Sequence, residues 1–131
     1  MMHLKQFLIL IIFIWFFGPA FMAQADVTRI DEYKKAIEKD PKDFVAHLEL
    51  GRAYQKLGLY KNAIAEYQEA LRLEPIYSAA HQGIGGSYGE MREYAKAAKA
   101  YQNAVDLDPN YAEAQYGLGW SFYHLGRFED A

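Results

Sequence analysis

Residues 44–77 read FVAHLELGRAYQKLGLYKNAIAEYQEALRLEPIY, and residues 78–111 read SAAHQGIGGSYGEMREYAKAAKAYQNAVDLDPNY. Laid over one another at an offset of 34, they bring Gly51 onto Gly85, Tyr60 onto Tyr94, Tyr67 onto Tyr101, Ala70 onto Ala104 and Pro75 onto Pro109. Self-similarity at a fixed period is the mark of a repeat architecture. The same offset extends backward to Tyr33, Ala36 and Pro41, and forward to Leu118-Gly119, Phe122, Gly126 and Phe128. Within one unit, Leu50, Gly51, Tyr54 and Leu57 form an apolar face at helical spacing, and Gly58 supplies a turn. Tyr60, Ala63, Ile64, Tyr67, Ala70 and Leu71 then form a second such face, so each unit is predicted to be a helical hairpin. Small residues at Gly51, Ala63 and Ala70 let the two backbones approach, with Tyr54 and Tyr67 filling the space beside them. Pro75 lacks an amide hydrogen and ends the second helix, while the acid before each such proline (Asp40, Glu74, Asp108) suits the turn into the next unit.

The pattern of Leu50-Gly51, Tyr54, Gly58, Tyr60, Ala63, Tyr67, Ala70 and Pro75 resembles the tetratricopeptide repeat. The resemblance implies an all-α fold, a right-handed superhelical solenoid of antiparallel helix pairs. It assigns repeats to 44–77 and 78–111, an incomplete third to 112–131, and a capping helix to 26–43. Two departures stand out. His47 and His81 occupy a place where the family often has tryptophan, which predicts looser packing there. Arg92 replaces the turn glycine of unit one and predicts a strained turn. In the capping helix, Ile30, Tyr33, Ala36 and Ile37 match a second helix with no first, and Thr28 with Asp31 reads as a capping box. After Phe128 only Glu129, Asp130 and Ala131 remain. The face carrying Leu118 and Phe122 is therefore expected to lie open, as in a fragment of a longer chain or a surface covered by a partner.

The first 25 residues read as an export signal. His3 and Lys5 precede the apolar run Phe7 to Phe17, the breaker Gly18-Pro19 and the small-x-small sequence Ala23-Gln24-Ala25. The run is shorter than the roughly 20 residues of a spanning helix. Cleavage after Ala25 is expected, giving a periplasmic or secreted protein; the alternative is an uncleaved anchor over residues 7–23, the one case that implies membrane contact.

In the whole chain of 131 residues, 52% are hydrophobic and the net charge is -3. That supports a buried core and gives no electrostatic reason to expect a nucleic acid as partner. Cysteine is absent, which excludes disulfides and thiolate chemistry. His47, His81 and His124 fall in three separate hairpins, and no HExxH, GxSxG or phosphate-loop motif occurs, so neither catalysis, a metal nor a cofactor is expected. Glu66, Glu69, Glu90 and Glu93 read as solvated faces.

Family geometry places functional side chains on the concave face formed by the first helices. It implies Val45, Leu48, Arg52, Gln55 and Lys56 in unit one, and Ala79, Gln82, Gly86, Gly89 and Glu90 in unit two. Unit three offers Glu113, Tyr116, Trp120, Tyr123 and His124, an aromatic face suited to anchoring a partner. Gly83, Gly85, Gly86 and Gly89 share one helix at about 1 kcal/mol each relative to alanine. Either they let a ligand backbone approach, or they permit tight helix packing. Some family members grip a chaperone's terminal carboxylate, but the matching places here are Leu48, Arg52, Gly83, Glu113 and Gly117, which do not form that clamp. The expected function is a scaffold holding a protein or peptide partner in the cell envelope. The alternatives are an interaction module at the front of a longer exported enzyme or membrane assembly factor, and self-association through the open third repeat.

Overall fold

Asp43 starts the regular array: its backbone is extended, and its side chain accepts a hydrogen bond from the Ala46 amide at 3.0 Å. That satisfies one of the free amides of the first turn. In the computed structural model, which describes residues 2–126, six helices follow one another. They are α1 (Met2–Lys39), α2 (Phe44–Lys56), α3 (Tyr60–Leu73), α4 (Ser78–Glu90), α5 (Tyr94–Leu107) and α6 (Ala112–His124). Phe128 to Ala131, and with them the end of the third unit, lie outside the described residues.

The turns repeat with the period. At the end of α2 Gly58 adopts φ +74°, and the amides of Gly58 and Leu59 donate to the carbonyls of Gln55 and Tyr54 at 3.0 and 2.9 Å. This double closure requires a left-handed residue at its centre. At the end of α4 the same bonds run from Arg92 to Gly89 and from Glu93 to Tyr88, with Arg92 held at φ 60°. The strain foreseen at Arg92 is present, because its Cβ sits in a backbone region that only glycine enters freely. The acid-proline turns also close as expected: Asp40 Oδ1 accepts from the Lys42 amide at 3.0 Å, and Asp108 Oδ1 from the Asn110 amide at 3.1 Å.

Each helix packs on its chain neighbours; in addition α2 touches α4 and α4 touches α6. Helices α2, α4 and α6 therefore form the inner, concave row, with α3 and α5 outside. Between the rows lie Leu48, Ala63, Tyr67, Ala70, Ala80, Ile84 and Ala100 in one cluster, and Ala97, Tyr101, Ala104 and Ala114 in the next. Tyr67, 1% exposed, is the largest fully buried side chain. Its ring lies between two helices: a Cβ on Gly51 of α2 would stand 2.8 Å from Tyr67 Cδ1, and one on Gly83 of α4 would stand 2.4 Å from its Cζ. Tyr101 repeats this arrangement between Gly85 and Gly117, at 2.8 and 2.3 Å. Ser87 and Ser121, both fully buried, donate to the carbonyls of Gly83 and Gly117 and leave no unsatisfied hydroxyl.

Four expectations require correction. First, helix α1 is continuous from Met2 to Lys39 with Pro19 inside it. The Gly18-Pro19 pair therefore does not break it, and Thr28 is no N-cap but donates back to the Gln24 carbonyl at 2.9 Å. Its second half packs on the array, through Ile30 against Leu50 and Ala53. Second, His47 is buried and fastened rather than loose, its Nδ1 lying 2.7 Å from Glu66 Oε2. Third, Glu66 is accordingly a bond between α2 and α3, not a solvated charge. Unit two has Ala100 at the place of Glu66; His81 lines a depression beside it, and burial pulls its pKa below the ordinary value. Fourth, that face is open only in part: Leu118 packs against the cluster around Tyr101 and Phe122 is half-buried, while Gly119 meets open space and Leu118 is more exposed than Leu50 and Ile84 at the matching places.

Two measurements check this picture. Arg92→Gly relieves the left-handed strain, partly offset by a more flexible unfolded chain, and is expected to raise stability by about 0.5–1 kcal/mol in urea unfolding. The Tyr67 hydroxyl is pushed up to about 12, first by burial. The folded state therefore holds this proton more tightly than the unfolded state does, so its contribution is complete below pH 10 and disappears as pH rises toward 12. About 2–3 kcal/mol is lost over that interval; Tyr67→Phe is expected to flatten the alkaline slope.

Candidate functional site

The concave row leaves a depression of about 610 Å³ between α2, α4 and α6. Its α4 side is lined by Gly86, half-buried beside the Gln55 amide, and by Gly89, buried against the Trp120 ring, with Gln82 alongside. From α6 come Tyr116 and Trp120, together with Ala112, Glu113 and Gly117; Glu90 and Tyr101 complete the lining. Gln55 is held in place because its Oε1 accepts from the Tyr67 hydroxyl at 2.7 Å. Trp120 is fixed edge-on against Tyr94, with centroids 5.3 Å apart, and against His124 at 4.4 Å. Tyr116, by contrast, is 76% exposed.

Of the residues foreseen for the groove, Gln55, Gln82, Gly86, Gly89, Tyr116 and Trp120 come together here, with Glu90 and Glu113. Leu48 does not. It is 2% exposed and belongs to the core, turned inward against α3 and α4. Arg52 and Lys56 line a separate small depression with Asp26, Arg29 and Tyr33, and Arg52 Nη1 bonds Glu49 Oε1 at 2.5 Å. His124 stacks flat on Tyr94 at 4.5 Å and 11°, and the exposed Tyr123 packs beside it; neither lines the depression. Arg52 and Lys56 thus do not line the depression, although the Arg52 charge is felt by Tyr67 and Tyr111 near its edge, while the glycine and aromatic portions form a single site.

Sequence reasoning missed Tyr101, Ala112 and Gly117 as lining residues. Tyr101 was legible as a packing residue, yet its hydroxyl reaches the groove, 3.6 Å from where a Gly86 Cβ would sit. Burial raises the pKa of this hydroxyl, and the nearby charge of Glu90 raises it further. The glycines divide into two kinds: Gly83 and Gly85 make room for tyrosine rings and Gly89 for the Trp120 ring, while Gly86 opens onto the depression beside Gln55. The places of the carboxylate clamp are used otherwise, since Leu48, Gly83 and Gly117 all serve packing. Among the described residues no group of three or more histidines and carboxylates is placed to hold a metal ion.

The comparisons agree with this geometry. Tetratricopeptide repeat models match residues 32–65 and 84–131, so the chain carries tetratricopeptide repeats. Its fold is the helical solenoid of such proteins. It is similar to MamA, at 30% identity and a TM-score of 0.72 over 76% of this chain and 58% of that one. The chain thus spans less than two thirds of MamA's length. It is also similar to the first TPR domain of Spaghetti (RPAP3) bound to the HSP90 peptide SRMEEVD, at 25% identity and a TM-score of 0.76, covering 83% and 86% of the two chains. YrrB, a TPR protein with an unusual peptide-binding site, shares the fold at 23% identity and a TM-score of 0.68, over 72% of this chain and 49% of that one. No curated protein matches the sequence.

The two kinds of glycine should respond differently to a methyl group. Gly83→Ala drives Cβ into the Tyr67 ring and is expected to cost about 1–3 kcal/mol in thermal or urea unfolding. Gly86→Ala meets the Gln55 amide nitrogen, so that side-chain end must shift against its bond from Tyr67; alanine's preference for helix offsets part of this, and the variant should stay within about 1 kcal/mol of the parent.

Proposed function

We propose that this chain is a non-catalytic interaction scaffold that holds a segment of a partner polypeptide on its concave face. The depression between α4 and α6 carries the reading, because it pairs partly exposed backbone at Gly86 with the anchored ring of Trp120, which rests on Gly89. A bare helix surface accepts an extended main chain, and aromatic side chains are the usual anchors of interfaces. Support comes from the fold relatives, one bound to an HSP90 peptide and another described by its peptide-binding site.

The same reading places the protein beyond a membrane. Leu4, Phe7, Ile9, Trp15 and Phe16 of α1 are 66–82% exposed, an apolar surface that the array does not cover. A contiguous patch of this kind is a recognition or membrane-contact surface, and with the small-x-small sequence at Ala23 to Ala25 it fits an export signal. Among the described residues, no helix is long and apolar enough to cross a membrane.

One experiment addresses both halves. A photo-crosslinking residue is placed at Gly86 in the full chain, with Arg72, exposed on α3, as the control position, and the protein is recovered from cell fractions. A discrete adduct from position 86 alone, on a protein whose first residue is Asp26 in the envelope fraction, is the expected result. Equal labelling from both positions would remove the groove reading. An intact, cytoplasmic amino terminus would remove export.

A further inference from the structure

The charged side chains lining the concave depression are both acidic: Glu90 from α4 and Glu113 from α6. No lysine, arginine or histidine lines it. Among the described residues neither carboxylate forms an ion pair, whereas Glu49, Glu66, Glu69 and Glu93 all have basic or imidazole partners. The two aromatic rings of α6 that flank the space, Tyr116 and Trp120, are one helical turn apart, and Trp120 is held against α4 beside Gly89.

Resting on the reading of this depression as a peptide groove, we infer that the partner segment presents an arginine or lysine side chain to it. Two unpaired carboxylates beside aromatic faces attract a cation in two ways, through opposite charge and through the negative face of each ring. Arginine suits the lining better than lysine, because a planar guanidinium stacks on a ring while its edge donates to a carboxylate. An acidic segment meets the reverse. The clamp for a terminal carboxylate is missing, Arg52 is already engaged with Glu49, and Glu90 and Glu113 repel the incoming charge. The glycines of α4 complete the fit: Gly89 lets the Trp120 ring lie close to α4, and Gly86 leaves room for the segment's backbone beside its side chain.

The test uses the immobilised full chain and a positional decapeptide library in which each position is fixed in turn as Arg, Lys, Gln or Glu, with the rest randomised. The expected result is retention of Arg or Lys over Gln by about tenfold at one position, with Glu disfavoured. That preference should disappear in Glu90→Gln/Glu113→Gln, whose substitutions lie on exposed positions and leave the circular dichroism and unfolding midpoint unchanged. Retention of peptides with no charge preference, or with a preference for Glu, overturns the inference and leaves the groove reading standing. Failure of every peptide to bind the folded chain overturns both. A preference that persists in the double variant overturns the assignment to Glu90 and Glu113.

Discussion

A tyrosine ring held between two glycines on different helices is the contact on which this array depends. Tyr67 reaches from α3 to the bare backbone of α2 at Gly51 and of α4 at Gly83, and so joins its own hairpin to the next. With no Cβ on either side, the ring approaches both inner helices closely and excludes nearly all water. Tyr101 does the same one unit later with Gly85 and Gly117. Close-packed interiors tolerate little change in volume, so these contacts fix the spacing of the concave row. At the front of the array the rule lapses for a visible reason. Tyr33 holds the equivalent place, but the position matching Gly83 is Glu49, and Tyr33 is only half-buried. At the other end Gly119 has open space where Gly51 and Gly85 meet a ring.

With spacing fixed by the rings, positions that do not pack are free to differ between units. His47 is tied to Glu66 in unit one, whereas His81 faces the shorter Ala100 in unit two. Gly58 and Arg92 make the same turn, one without strain and one with it. The concave positions differ most: Arg52, Gln55 and Lys56 on α2, glycines on α4, and aromatic residues on α6. A uniform scaffold with a non-uniform inner surface is a general way for repeat proteins to acquire a specific ligand.

Much of the site was legible because repeat position identifies the concave helices. The stripe at Gln82, Gly86 and Gly89 follows helical spacing and reaches the groove. Leu48 lies four residues before Arg52 on the same helix and was assigned to the same stripe, but the stripe's edge turns into the core there. Periodicity locates a face only to within the width of a side chain, and neighbouring helices decide which side of the boundary is buried. The two roles among the α4 glycines were likewise hidden, since glycine carries no side chain to betray which surface it meets.

The sequence alone determined the helical hairpin, its period and its turns, because these follow from local spacing and recur in register. It also revealed the acid-proline turns and the strain at Arg92, both properties of a few adjacent residues. Only the tertiary structure decided that Glu66 reaches His47, that Leu48 is core, and that Glu90 and Glu113 join Tyr116 and Trp120 around one depression. Those relations link different helices, and their outcome depends on the angle and distance at which neighbouring hairpins stack, which no single helix encodes.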